Sequence, residues 1–192
     1  MEKSNIGEKI KLLTGNGMWH TQEVEGLPSV HLSDGPHGLR KQEEKERQNN
    51  VSLVSTCYPT ASALACSWDV TAAERLGRAV AKEAWNADVA VLLGPGINMK
   101  RSPLCGRNFE YFSEDPFLTG RLGAAYVSAA QGENVAVSLK HFAANNQETN
   151  RQTSNSQIDE RALREIYLSA FEYVVKTTRP ATVMASYNRL NG

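Results

Sequence analysis

Three short apolar runs punctuate the chain: Val-Ala-Val-Leu-Leu at 89–93, Val-Ala-Val-Ser-Leu at 135–139 and Ala-Thr-Val-Met-Ala at 181–185. Each is too short for a stable helix and is apolar on both faces, as a parallel strand covered from both sides requires. Their midpoints, Val91, Val137 and Val183, fall at equal intervals, and a helical pattern fills each gap. In the first gap Asp115 is placed as an N-cap with Pro116 at the first helical position; Leu118, Leu122, Ala125 and Ala129 share a face, and Gly132 ends the helix. In the second, Asp159 caps a helix in which Leu163, Ile166, Tyr167, Ala170 and Val174 share a face, with Pro180 beyond its end.

The amino-terminal half carries the same pattern more faintly. Ile6, Ile10 and Leu13 predict a short opening helix stopped at Gly15. Residues 28–33 predict a strand that ends in the turn Ser33-Asp34-Gly35-Pro36-His37-Gly38. Residues 42–50 are charged without an apolar face and read as a solvated loop or a frayed helix. Residues 61–67 predict a small-residue strand, and Thr71-Ala72-Ala73-Glu74 a capping box that opens a helix reaching about Trp85. Alternating strands and helices imply a parallel sheet with right-handed crossovers. About five strands, each clear one followed by polar residues, give the expected fold class: α/β, the amino-terminal portion of a TIM-like (β/α)8 barrel.

Those polar residues are the candidate chemistry. Lys140 and His141 stand at the carboxyl end of the 135–139 strand, and Asn145, Asn146, Gln147, Glu148 and Arg151 follow closely. Such a density of donors and acceptors suits a polyhydroxylated ligand. Plainer readings stand beside it: Asp34 as an Asx-turn aspartate, Arg107 paired with Glu110, Glu148 paired with Arg151. Gly94-Pro95-Gly96 is a poor dinucleotide signature, because the third glycine is missing and Pro95 lacks an amide donor.

The run Lys140-His141-Phe142-Ala143-Ala144-Asn145-Asn146-Gln147-Glu148 with Arg151 resembles the lysine-histidine segment of glycoside hydrolase family 3, in its β-glucosidase version. Asp34-Gly35-Pro36-His37-Gly38, the stretch from Gly106 through Glu110 to Pro116, and Ser186-Tyr187-Asn188-Arg189-Leu190-Asn191-Gly192 resemble further motifs of that family in the same order. The resemblance runs over nearly the whole chain. It implies a retaining β-glucosidase in which Asp34, Arg107, Lys140, His141, Arg151 and Tyr187 bind the sugar. Retention requires two carboxyl groups about 5–5.5 Å apart, and by residue type Asp34, Glu110, Glu114 and Glu148 are nominees. The resemblance places the nucleophile and the acid/base elsewhere, beyond Gly192, so no catalytic residue is expected within this chain.

Composition narrows the partners. Lys+Arg (21) balances Asp+Glu (21), so neither nucleic acid nor an anionic membrane is expected. A small carbohydrate is compatible. Cys57, Cys66 and Cys105 are odd in number and irregular in spacing, which points to reduced thiols, and no metal or other cofactor is called for. Residues 1–15 show no signal-peptide core, so a cytoplasmic location is expected. As one incomplete barrel domain, residues 1–192 without a second domain should leave an open sheet edge through which the chain self-associates. A non-catalytic sugar-binding remnant and a structural half-barrel are the alternatives.

Overall fold

The structure, a computed structural model, describes residues 6–42 and 51–192. Helix α1 (Ile6–Lys11) and the antiparallel pair β1 (Gly15–Asn16) and β2 (His20–Thr21) lead into β3 (Leu32–Asp34). Then come α2 (Ala61–Ala65), α3 (Val70–Asn86), β4 (Val91–Leu93), α4 (Pro116–Gln131) and β5 (Ala136–Phe142). The chain continues through β6 (Asn155–Ser156), α5 (Glu160–Ala162), a π-helical stretch (Leu163–Tyr167), α6 (Ser169–Thr178), β7 (Thr182–Ala185) and β8 (Arg189–Leu190).

Strands β3, β4, β5 and β7 form one sheet in that spatial order, every pair parallel. Sequence order equals spatial order, with a helix in each crossover, which is how a (β/α)8 barrel winds. The sheet is therefore part of a TIM-like barrel wall. Helices α3, α4 and α6 cover one face, closing a core of Val80, Leu122, Val127, Phe171 and Val174 against Val89, Leu92, Val137 and Leu139. The α3–α4 seam is tight: a Cβ on Gly77 would lie 2.5 Å from the Tyr126 carbonyl oxygen. No helix among the described residues is long and apolar enough to cross a membrane.

Local chemistry accounts for most boundaries. Asp115 and Asp159 cap as expected, their carboxylates accepting from the amides of Phe117 and Ala162 at 2.9 Å each. The start of α3 differs: its N-cap is Asp69, which accepts from the Thr71 amide, so the capping box at Thr71 is not the cap used. Residues 61–65 are helical rather than a strand. The Thr60 hydroxyl accepts from the Ala63 amide, and alanines next to a satisfied cap favour a helical turn. Four strands therefore make the sheet where about five were expected. Strand β7 is mostly exposed rather than covered on both faces, because among the described residues it pairs only with β5. The charged stretch at 43–50 lies outside the described residues.

Candidate active site

The carboxyl ends of β3 and β5 bring Asp34 and Lys140 together. Lys140 Nζ lies 3.4 Å from Asp34 Oδ1 and 3.2 Å from Glu110 Oε2. Glu110 closes the short 3-10 turn Asn108–Glu110, and its other oxygen accepts from Arg107 Nε. Arg107 Nη1 faces Glu148 Oε2 at 3.7 Å, and Arg151 Nη1 binds Glu148 Oε1 at 2.8 Å. Asp34, Lys140, Glu110, Arg107, Glu148 and Arg151 thus form a chain of alternating charge that sums to zero. The Arg151 guanidinium stands 4.9 Å from the centroid of the Tyr187 ring.

His141 joins the chain sideways. Arg107 Nη2 is 2.8 Å from His141 Nε2, and a guanidinium can only donate, so Nε2 accepts and the ring proton sits on Nδ1. That proton points to the Tyr111 hydroxyl at 3.0 Å, which also accepts from Asn145 Nδ2 at 3.2 Å. Burial, then the nearby charges of Arg107, Lys140 and Arg151, lower the His141 pKa to about 2, so the ring is neutral. Burial also pushes the Tyr111 phenol well above its ordinary value. Asn98 fixes the backbone of His141, donating to its carbonyl and accepting from its amide at 2.9 Å each.

The strand geometry explains how neighbouring residues serve one site. In a regular strand Lys140 and His141 would face opposite sides. The β5–β7 register shifts between Lys140 and Phe142, a bulge that re-aims side chains, and both residues reach the Glu110–Arg107 pair. The peptide bonds Gly94-Pro95, Lys140-His141 and Phe142-Ala143 are cis. In Gly94-Pro95-Gly96 the second glycine has a packing role. Pro95 and Ile97 pair with the backbone of Lys140, and a Cβ on Gly96 would sit 2.9 Å from the Tyr111 ring. Behind Lys140 and Glu110 a cavity of about 20 Å³ has room for a single water.

All six residues singled out by sequence lie in this one network: Asp34, Arg107, Lys140, His141 and Arg151 through polar contacts, Tyr187 through its ring. The plainer ion pairs, Arg107 with Glu110 and Glu148 with Arg151, form as well, and they are links of the same chain. Asn98 and Tyr111 were not singled out, and no local pattern marks them: Asn98 holds the His141 backbone and Tyr111 its ring, while Asn145, already named among the polar residues after the 135–139 strand, supports the Tyr111 hydroxyl. Glu110 stood among the catalytic nominees and as the plainer partner of Arg107; its second cation, Lys140, is brought to it by the fold. Among the described residues no group of three His, Cys, Asp or Glu side chains is arranged to hold a metal ion.

The sequence profile of the glycosyl hydrolase family 3 N-terminal domain matches residues 36–192. The chain belongs to glycosyl hydrolase family 3. It is 52% identical over 196 residues to thermostable beta-glucosidase B of Acetivibrio thermocellus, covering 100% of this chain and 26% of that protein. It is 50% identical to an exo-alpha-(1->6)-L-arabinopyranosidase of Bifidobacterium longum, covering 97% of this chain and 25% of that one. Among solved structures, the GH3 beta-glucosidase of Bifidobacterium adolescentis superposes with a TM-score of 0.92 at 48% identity, over 100% of this chain and 27% of that one. The beta-glucosidase of Kluyveromyces marxianus in complex with glucose superposes with a TM-score of 0.92 at 43% identity, over 100% and 23%. This family 3 chain spans about a quarter of the length of the curated relatives it matches.

Proposed function

We propose that this chain is the glycone-gripping part of a retaining β-glucosidase whose catalytic carboxylates lie on further sequence of a longer protein. The observation that carries the reading is the charge-neutral chain from Asp34 to Arg151 at the carboxyl ends of parallel barrel strands. A neutral cluster has no net field to attract an anionic sugar, while its fixed carboxylates and cations offer strong acceptors and donors to vicinal hydroxyls. Asp34 accepts from hydroxyls, and Lys140, Arg107 and Arg151 donate to them. Tyr187, 60% exposed, offers a ring edge or face to the sugar at the rim.

The carboxylates of this cluster are poorly suited to displacement at the anomeric carbon. Asp34, Glu110 and Glu148 each hold at least one cation, and a two-step retaining reaction needs one free nucleophile and one proton donor across the glycosidic bond. Names of the relatives favour two neutral glycones, glucose and arabinopyranose.

The test uses the longer protein that contains this chain, assayed with aryl β-glucoside, aryl α-L-arabinopyranoside and aryl β-glucuronide. Turnover of at least one neutral substrate, with little turnover of the anionic glucuronide, is the expected outcome. Failure on both neutral substrates would falsify the reading.

A further inference from the structure

We propose that Glu110 is the positioning residue of this site, setting the two cations, Lys140 and Arg107, without itself touching sugar; the inference rests on the glycone-gripping reading above. Three observations carry it. The Glu110 side chain is 3% exposed, and its two oxygens are divided between partners: Oε1 takes Arg107 Nε and Oε2 takes Lys140 Nζ at 3.2 Å. Neither oxygen is left to reach a glycosidic bond.

The carboxylate is also held from its backbone. The turn Asn108–Glu110 is closed by the Glu110 amide donating to the Arg107 carbonyl at 3.1 Å and the Tyr111 amide to the Asn108 carbonyl at 3.3 Å. The Ser62 hydroxyl of α2 donates to the same Asn108 carbonyl at 2.8 Å, tying the turn to that helix. On its other side, fully buried Tyr111 bridges to Gly96, next to the strand that carries Lys140.

The third observation is what the two cations would do alone. Lys140 is itself 4% exposed and shares this one carboxylate with Arg107. With Glu110 neutral, the buried Lys140 and the part-buried Arg107 lose their common counter-charge, and breaking such a pair from one side is costly. Arg107 would swing toward Glu148, taking with it the hydrogen bond it gives His141. Lys140 would lean on Asp34 alone. The hydroxyl-binding geometry would be lost without removal of any group that meets the sugar.

A double-mutant cycle in the longer protein tests this, with Glu110→Gln, Lys140→Met and the double variant assayed for kcat/KM on an aryl glycoside the wild type turns over. Glu110→Gln alone is expected to lower kcat/KM by about tenfold or more. In the Lys140→Met background the same change should cost at least about threefold less, because one of its two routes to substrate, the one through Lys140, is already cut. Glu110→Asp, which keeps the charge and shortens the reach, should fall between wild type and Glu110→Gln, and it replaces Glu110→Gln in the cycle if that variant does not fold. Equal losses in both backgrounds, or a loss below about twofold, overturn the positioning role while leaving the functional reading intact. A wild-type protein inactive on every glycoside overturns both together.

Discussion

Asp34 and Lys140 stand 106 positions apart in the chain, and their charged groups meet at 3.4 Å where β3 and β5 end. Two strands, β3 and β5, flank β4 in the sheet, so the contact spans a strand and depends on the parallel winding. In the longer protein, Asp34→Ala removes hydroxyl acceptors and leaves Lys140 with Glu110 alone. A kcat/KM lower by about 1–3 kcal/mol is expected, roughly 5- to 150-fold, for Asp34→Ala and likewise for Lys140→Ala. Steady-state kinetics decide it; variants as efficient as wild type would contradict a sugar-gripping role.

The buried His141 ring gives a pH dependence. Its folded pKa is about 2 against an ordinary 6.5, so below pH 6.5 the unfolded chain takes up a proton that the folded one does not. That difference favours unfolding progressively as pH falls from 6.5 toward 2, and it vanishes above 6.5. Melting temperature should therefore fall from pH 6.5 to 5, and His141→Asn should flatten that slope. Nitrogen chemical shifts of His141 typical of an imidazolium at pH 5 would refute a neutral ring.

Most of this architecture can be read from residue order, and the exceptions have physical causes. Runs 89–93 and 135–139 hold strands β4 (Val91–Leu93) and most of β5 (Ala136–Phe142) because β-branched and aliphatic residues fill both faces, and Asp115 and Asp159 announce their helices by capping chemistry that is local. Residues 61–65 mislead, since small residues fit strand and helix equally and the deciding contact is one hydroxyl, that of Thr60. Edge exposure of β7 is a property of the sheet, invisible in Ala-Thr-Val-Met-Ala. The six candidate residues that the structure gathers into one network were legible through family motifs and their position after strands. The Glu110 bridge and the Tyr111–Asn145 support of His141 were not, because each joins segments about 30 residues or more apart.

Helix packing supplies a stability prediction. Gly77→Ala should gain roughly 1 kcal/mol in helix propensity. The new methyl, however, would stand 2.5 Å from the Tyr126 carbonyl, and helix α4 must move to admit it. Overpacking of this kind costs about 1–3 kcal/mol, so net destabilisation is expected. Denaturant melts of the protein with and without the substitution measure it, and a raised midpoint would show that the α3–α4 seam has slack.

A polypeptide ending at Gly192 should associate with itself. Strand β7 offers an open edge, with Val183 45% exposed and Phe142 and Tyr187 exposed nearby. Sedimentation velocity should give dimers or larger species whose proportion rises with concentration. A single monomeric boundary at every concentration would mean the edge is not adhesive.

The central claim is a division of labour, with this chain holding the sugar and the reacting carboxylates lying elsewhere in a longer protein. The measurement that tests it most directly is hydrolysis of an aryl β-glucoside by the 192-residue polypeptide and by the longer protein, side by side at equal molar concentration. Expected is no turnover by the short polypeptide and robust turnover by the longer one, sensitive there to Asp34→Ala. Turnover by the short polypeptide that disappears on mutating Asp34 or Glu148 would place the catalytic carboxylates within this chain and contradict the claim.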